Sequence, residues 1–225
     1  MKLLEPEVII EEFDNMGAKL EKKIERCGRT CYRSESTITE DSYKTRVPNW
    51  VKLGHTSVMD HASVTIHLLC DVGVYKDLTR HRHAAFSIES TRYCNYSKDK
   101  FSNEINFIRP CNIKEGTIEY TLWTNCMKNI EDVYMEMSKL NCLPDQMRMI
   151  LPHSTAAHVC MTCDITEWRH VLNLRCSKKA HPAVQQVMIP VLLYFKQVMP
   201  ELFEDIPYNE DFDKEKYAKL STLKV

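Results

Sequence analysis

The residues with the most chemical potential run without a break from Arg80 to Tyr93: Arg80-His81-Arg82-His83-Ala84-Ala85-Phe86-Ser87-Ile88-Glu89-Ser90-Thr91-Arg92-Tyr93. A guanidinium donates parallel hydrogen bonds from a planar fork, so arginines gathered in this way suit a phosphate or a polarised carbonyl. If the helical spacing of Val74 and Leu78 continues through residue 82, Arg80 and Arg82 point about 200° apart, since each helical residue turns by about 100°. Such a pair serves two neighbouring ligands better than one phosphate. Ser90 and Arg92, alternate residues of an extended loop, would face the same side and make a compact anion grip. The plain alternative is a solvated basic helix end followed by a surface loop.

Other chemistries have weaker support. A thiolate at Cys94 would be favoured by nearby arginines, but nothing separates it from the rest of the ten cysteines. Ser90 has no base at a suggestive spacing, which leaves anion binding as its task. Cys160-x-x-Cys163, with His153 and His158 nearby, could suggest zinc, yet a lone pair of cysteines in an expected strand reads as core, and no metal site is expected. Met135, Met137, Met147 and Met149 read as helix packing.

These groups need a scaffold, and the 225 residues supply one of ordinary composition, with 44% hydrophobic and 27% charged side chains. Only five glycines occur, and no Gly-rich phosphate loop is present. The longest apolar run, Val187 to Phe195, falls far short of the ~20 residues of a membrane helix. No secretory pattern opens the sequence, so the cysteines read as reduced thiols and the expected location is cytoplasmic. With a net charge of −1, no overall field draws nucleic acid or anionic lipid, and any phosphate site must be local.

Apolar spacing predicts a strand over 7–13, helices over 17–31 and 40–53, and a strand over 62–68 where Ala62, Val64, Ile66 and Leu68 alternate with polar residues. A helix through 80–82, a long polar loop, a strand near 105–109 and a long helix from Ile118 to Met137 follow. A strand over 155–163 then precedes helices over 167–175 and 182–199, the last kinked at Pro190. Helices and strands mix without βαβ alternation. The expected architecture is a single α+β domain over 1–208, a mixed or antiparallel sheet flanked by helices, with a charged, loose tail over 209–225.

The motifs add a resemblance. Arg80-His81-Arg82, seven residues and Ser90 is the signature spacing of the flavin-dependent thymidylate synthases, and Glu89-Ser90-Thr91-Arg92-Tyr93 is similar to the same family. Upstream, Gly54-His55-Thr56-Ser57-Val58-Met59-Asp60-His61 resembles its Gly-His-x-[Ser/Thr]-x-x-[Glu/Asp]-His segment. Downstream, Arg148-Met149-Ile150-Leu151-Pro152 resembles Arg-x-x-Leu-Pro, and Glu167-Trp168-Arg169-His170 with Asn173-Leu174-Arg175 resembles the helix bearing the family's last arginine. The likeness spans residues 54 to 182.

The resemblance implies reductive methylation of deoxyuridine monophosphate (dUMP) to dTMP, with FAD as cofactor and NADPH and methylenetetrahydrofolate as co-substrates. It also implies a homotetramer with active sites between subunits, and no nucleic-acid or membrane partner. Carried over by position, Ser57, Arg80, His81, Arg82, Asp164 and His170 fall on FAD, with His55 near flavin and folate. Asp77, Arg80, Ser90, Thr91, Arg92, Arg148 and Arg175 fall on the nucleotide. Arg175 takes the catalytic role, facing the uracil where negative charge develops; no enzyme nucleophile is required.

The sequence departs from the family at four places. Ile88 stands where Gln or Glu is usual, Asp164 where Asn is usual, Thr166 where Arg is usual, and Asp77 where many relatives have Gln. Asp164 with Glu167 forms a helix capping box. Two alternatives follow: a family variant that adds a methyl or hydroxymethyl group to another pyrimidine nucleotide, with or without flavin, and, more distantly, a nucleic-acid-binding module built on the basic stretch 76–100.

Overall fold

The computed structural model describes all 225 residues. In chain order the elements are β1 (Lys2–Leu4), β2 (Glu7–Glu12), α1 (Met16–Thr30), α2 (Tyr43–Lys52), β3 (Ser63–Asp71), α3 (Val72–Leu78) and β4 (Ala84–Ile88). Then come β5 (Asn106–Ile108), α4 (Ile118–Lys139), α5 (Pro144–Met147), β6 (Ala156–Asp164), α6 (Ile165–Arg175), α7 (Pro182–Val198), α8 (Pro200–Phe203) and β7 (Lys219–Lys224). Five strands form one sheet in the order β4-β6-β3-β2-β7, antiparallel except for β7, which runs parallel to β2. The α+β expectation of a mixed sheet flanked by helices is what the chain forms.

Period-two alternation builds the sheet. Along β3, Val64, Ile66, Leu68 and Cys70 are buried, while Thr65, His67 and Leu69 are only partly covered. The inward row packs on α1, α6 and α7 in the main core. Trp168 of α6 is fully buried and donates its indole N–H to the Val64 carbonyl at 3.0 Å, which sets α6 against β3. Buried aromatic N–H groups need such a partner. Arg169 of α6 grips Asp205 beyond α8 with two bonds of 2.8 and 2.7 Å. The α7 helix is buried over most of its surface and continues through Pro190 to Val198. A second, small core lies under α4, where Tyr134 and Met127 meet Met147, Phe107 and Tyr96. Met135, Met137 and Met147 do pack, as their spacing predicts, but Met149 is exposed.

Three local expectations are corrected. Residues 84–88 form β4 rather than part of a loop, because Ala84, Phe86 and Ile88 alternate with Ala85 and Ser87 and pair with β6. The helix expected through residue 82 ends at Leu78. The tail beyond 208 is not loose: Val8 pairs with Leu220 and Ile10 with Thr222 as β7 closes the sheet edge. Its lysines face solvent while its backbone satisfies β2, so composition alone reads it as disordered.

Candidate active site

The arginine-rich segment enters the site through a tight turn. Asp71 caps α3 by accepting from Val74 N at 2.7 Å, and after Leu78 the chain turns with His81 N donating to the Leu78 carbonyl at 3.0 Å. Arg80 and Arg82 therefore stand in the α3–β4 connection, where helical angles do not govern them. Both are exposed. His81 between them points inward and is only 5% exposed.

His81 is held from both ends of its ring. Arg175 donates Nε–H to His81 Nε2 at 3.0 Å, and His81 Nδ1 lies 3.0 Å from Glu167 Oε1. A guanidinium can only donate, so Nε2 must be the bare nitrogen and Nδ1 carries the proton to Glu167. Burial first, then the Arg175 charge, push the His81 pKa below its usual value, and Glu167 opposes them only in part. The His170 ring stands edge-on at 5.4 Å. Arg175 also donates Nη2–H to the Asp77 carbonyl at the end of α3, and its Nη1 is 4.0 Å from Asp77 Oδ2. Asp164 accepts from Glu167 N at 2.7 Å, so its carboxylate starts α6 and sets the level of Glu167, His170 and Arg175 along that helix.

His81, Glu167 and His170 offer donor atoms within 4.8 Å of one another. That set does not suit a cation: both His81 nitrogens are engaged, one of them by a guanidinium, and like charge opposes an ion there. Cys160 and Cys163 lie three residues apart on β6 and so face opposite sides of the sheet, Cys163 buried and Cys160 half-exposed. They share no ligand.

Ser90, Thr91 and Arg92 lie past the other end of β4. They do not form an extended grip, because Tyr93 N and Cys94 N both donate to the Ser90 carbonyl, at 3.0 and 2.9 Å, in a helical turn. In such a turn alternate residues do not face each other. Glu89 fixes the turn to β6: its N–H donates to the His158 carbonyl at 2.8 Å, and its carboxylate accepts from Tyr96 Oη at 2.9 Å and His158 N at 3.3 Å. Arg92 is exposed, its guanidinium 5.5 Å from the Tyr93 ring centre. Burial and the Glu89 charge raise the Cys94 thiol pKa, the opposite of what a nucleophile needs.

At the opposite end of the sheet, the pairings Ser63 to Asp164 and Ala84 to Cys163 gather the turn Thr56–His61, the start of α6 and the Arg82 segment. His55, Ser57 and His170 are exposed there. Thr166 donates its hydroxyl to the Thr56 carbonyl at 2.9 Å, tying α6 to that turn. Arg148 is exposed in the short turn after α5, where its charge opposes the burial that raises the Tyr75 phenol. Asp77 and Arg80 line a cavity of about 450 Å³ with Lys76, Trp123, His153 and His181. Of these, Lys76, Trp123 and His181 were not singled out from sequence, and His153 was named only beside the cysteine pair, not for this cavity.

Residues 14–201 match the family described as thymidylate synthase complementing protein, and the chain belongs to that family. It is similar to the flavin-dependent thymidylate synthase of Corynebacterium efficiens, 27% identical over 223 residues that cover 89% of this chain and 84% of the relative. Among solved structures, a UMP/dUMP methylase, PolB from Streptomyces cacaoi, bound with 5-Br dUMP, shares the fold with a TM-score of 0.72 at 18% identity, over 91% of this chain and 96% of that one. Thymidylate synthase X from Helicobacter pylori with FAD and dUMP matches with a TM-score of 0.71 at 18% identity, over 89% and 98%. No helix of the chain is long and apolar enough to cross a membrane.

Proposed function

We propose that this protein methylates dUMP to dTMP, with methylenetetrahydrofolate as carbon donor, FAD as bound cofactor and NADPH as reductant. The observation that carries the reading is the contrast within one cluster: Arg80 and Arg82 stay exposed, while Arg175 beside them is fixed by His81 and Asp77. Exposed guanidinium groups suit phosphate-bearing ligands, and a fixed one suits a charge that grows during reaction.

When bound, FAD supplies the electrons for reductive methylation. The residues present fit it: Arg80 and Arg82 offer charge to its phosphates, and His55, Ser57 and His170 line the same exposed end of the sheet. Asp164 and His81 would support that site from behind, because one caps α6 and the other faces inward. Ser90, Thr91, Arg92 and Arg148 would hold the nucleotide phosphate and Asp77 with Arg175 the base. Arg82 and Ser90 flank opposite ends of the five-residue β4, a separation of more than ten ångströms at about 3.3 Å per residue. That separation supports a site completed by a second copy, within a homotetramer.

A second reading is modification of another pyrimidine nucleotide, favoured by Ile88 and by Thr166, whose hydroxyl is spent on Thr56 where relatives carry a cation. Absorbance of the purified protein, followed by mass spectrometry of products from dUMP and UMP, tests both. A flavin band with dTMP as product is expected. A colourless protein that modifies UMP in preference to dUMP would replace the first reading by the second.

A further inference from the structure

We propose that Glu167 and His81 form a positioning pair, through which the orientation of the Arg175 guanidinium is set for turnover. The inference rests on the functional reading above and names residues that act through another rather than on substrate. Both members are buried, at 7% and 5% exposure, whereas Arg80 and Arg82 on either side of His81 are exposed.

The argument starts from the shape of a guanidinium. Its Nε–H and one Nη2–H lie along one edge, and here that edge is fully used: Nε on His81 Nε2 at 3.0 Å, Nη2 on the Asp77 carbonyl. Nη1 remains, with only Asp77 Oδ2 at 4.0 Å, and is the nitrogen left to meet a ligand. Rotation about the last side-chain bonds of Arg175 is thus decided by where the His81 acceptor sits. An imidazole can accept at Nε2 only while its proton is on Nδ1, and Glu167, 3.0 Å from Nδ1, is the group that holds it there.

Helix geometry makes the pair self-consistent. Glu167 and Arg175 belong to the same helix, whereas His81 comes from the α3–β4 connection. The ring therefore bridges the first turn of α6 to its last residue. The titratable and charged groups facing it are Glu167, His170 and Arg175 from α6, with Asp77 of α3 on the far side of the guanidinium. Without His81, the Nε edge of Arg175 would lose its acceptor. Without Glu167, the tautomer would be free to reverse, and two N–H groups would then oppose each other.

The test compares His81→Leu, His81→Gln, Glu167→Gln and Arg175→Lys in the full-length protein with FAD present. Glutamine at 81 keeps an acceptor near the Nε2 position, and glutamine at 167 keeps an acceptor for Nδ1–H. Expected is a fall of about a hundredfold in kcat for His81→Leu, the size of effect a misplaced group produces. The dUMP KM and the melting temperature should move little, and both glutamine variants should retain most activity. A readout independent of catalysis is the Nε–H resonance of Arg175, identified by its loss in Arg175→Lys. It should resist exchange with water in the parent and in Glu167→Gln, and exchange rapidly in His81→Leu. If His81→Leu fails to fold, the comparison of His81→Gln with the parent in both readouts decides. Parent-like kcat in His81→Leu, or an unprotected Nε–H in the parent, overturns the proposal. A parent that makes no dTMP while its Nε–H is protected overturns the functional reading and leaves the positioning pair standing.

Discussion

Arg175 and Arg92 are the same side chain in opposite surroundings. Arg175 is half-buried, with two of its three nitrogens bonded to the protein. Arg92 is exposed on a turn, with the Tyr93 ring beside it. A group whose orientation is settled before the ligand arrives costs no reorganisation when charge develops, and such groups favour the transition state. A mobile guanidinium instead adapts to a phosphate whose charge is the same throughout the reaction, so it adds to affinity and little to rate. Under the proposed function, what the chain does to an arginine's freedom, more than the arginine itself, separates catalysis from capture.

The sharpest way to break this comparison is Arg175→Ala. Turnover should fall by about 10²–10³, the loss seen when a preorganised donor is removed, with a smaller change in nucleotide affinity. Steady-state assays with separate dUMP titrations measure the split; equal loss in both would remove the distinction. Arg92→Ala and Arg148→Ala should show the reverse pattern. Removing a charged partner of phosphate weakens binding by about 1.5–3 kcal/mol, with turnover at saturation nearly intact and deoxyuridine bound alike by mutant and parent. Calorimetry of dUMP against deoxyuridine checks it.

The next effect is smaller and concerns stability. The native fold holds His81 below its usual value of 6.5 by burial and by Arg175, so the unfolded chain binds a proton that the native chain resists. Stability then falls as pH drops through 6.5, by up to about 1.4 kcal/mol per pH unit from this one group. Urea unfolding at pH 7.5 and 5.5 should show a shallower difference in His81→Gln. A pH response identical in the two proteins would contradict a neutral, buried His81. The smallest effect concerns FAD, whose affinity Ile88→Gln at one end of β4 together with Thr166→Arg beyond the other end should raise by on the order of 1 kcal/mol. Thr166→Val, which loses only the bond to Thr56, separates the new charge from the lost tether in the same FAD titration. Flat or weaker FAD affinity in the double variant would favour a pocket reshaped for another nucleotide.

Much of this scaffold was legible in the sequence because one-sided burial leaves a period. Val64, Ile66 and Leu68 announced β3, and Leu20 with Ile24 announced α1, since each row meets the same core. The short β4 was hidden because one of its faces is only half-covered and the other is exposed, so no buried row marks its alternation. In the site, residue types and spacing named Arg80, Arg82, Ser90, Arg92 and Arg175, but not which way they face. His81 lies between two exposed arginines, and only the Glu167 and Arg175 contacts, both more than eighty residues away in sequence, turn it inward. Ser90 and Arg92 diverge because two amides close on the Ser90 carbonyl, a backbone choice no side-chain pattern encodes. Lys76, Trp123 and His181 come from three separate helices or their caps and meet only at the cavity.

The pairing of β7 with β2 has a bearing on how this protein survives handling. Strand β2 carries Val8, Ile9 and Ile10 in a row, and on the side away from β3 its amides and carbonyls are covered by Lys219–Lys224. An uncovered apolar strand of that kind is a template for another chain, whereas an outermost strand bearing lysines is a poor one. The lysine-flanked β7 acts as a selvedge for the sheet. Proteolytic loss of residues 219–224 would leave the enzyme's arginines in place and turn β2 into an adhesive border, so such a product should precipitate before it loses its fold.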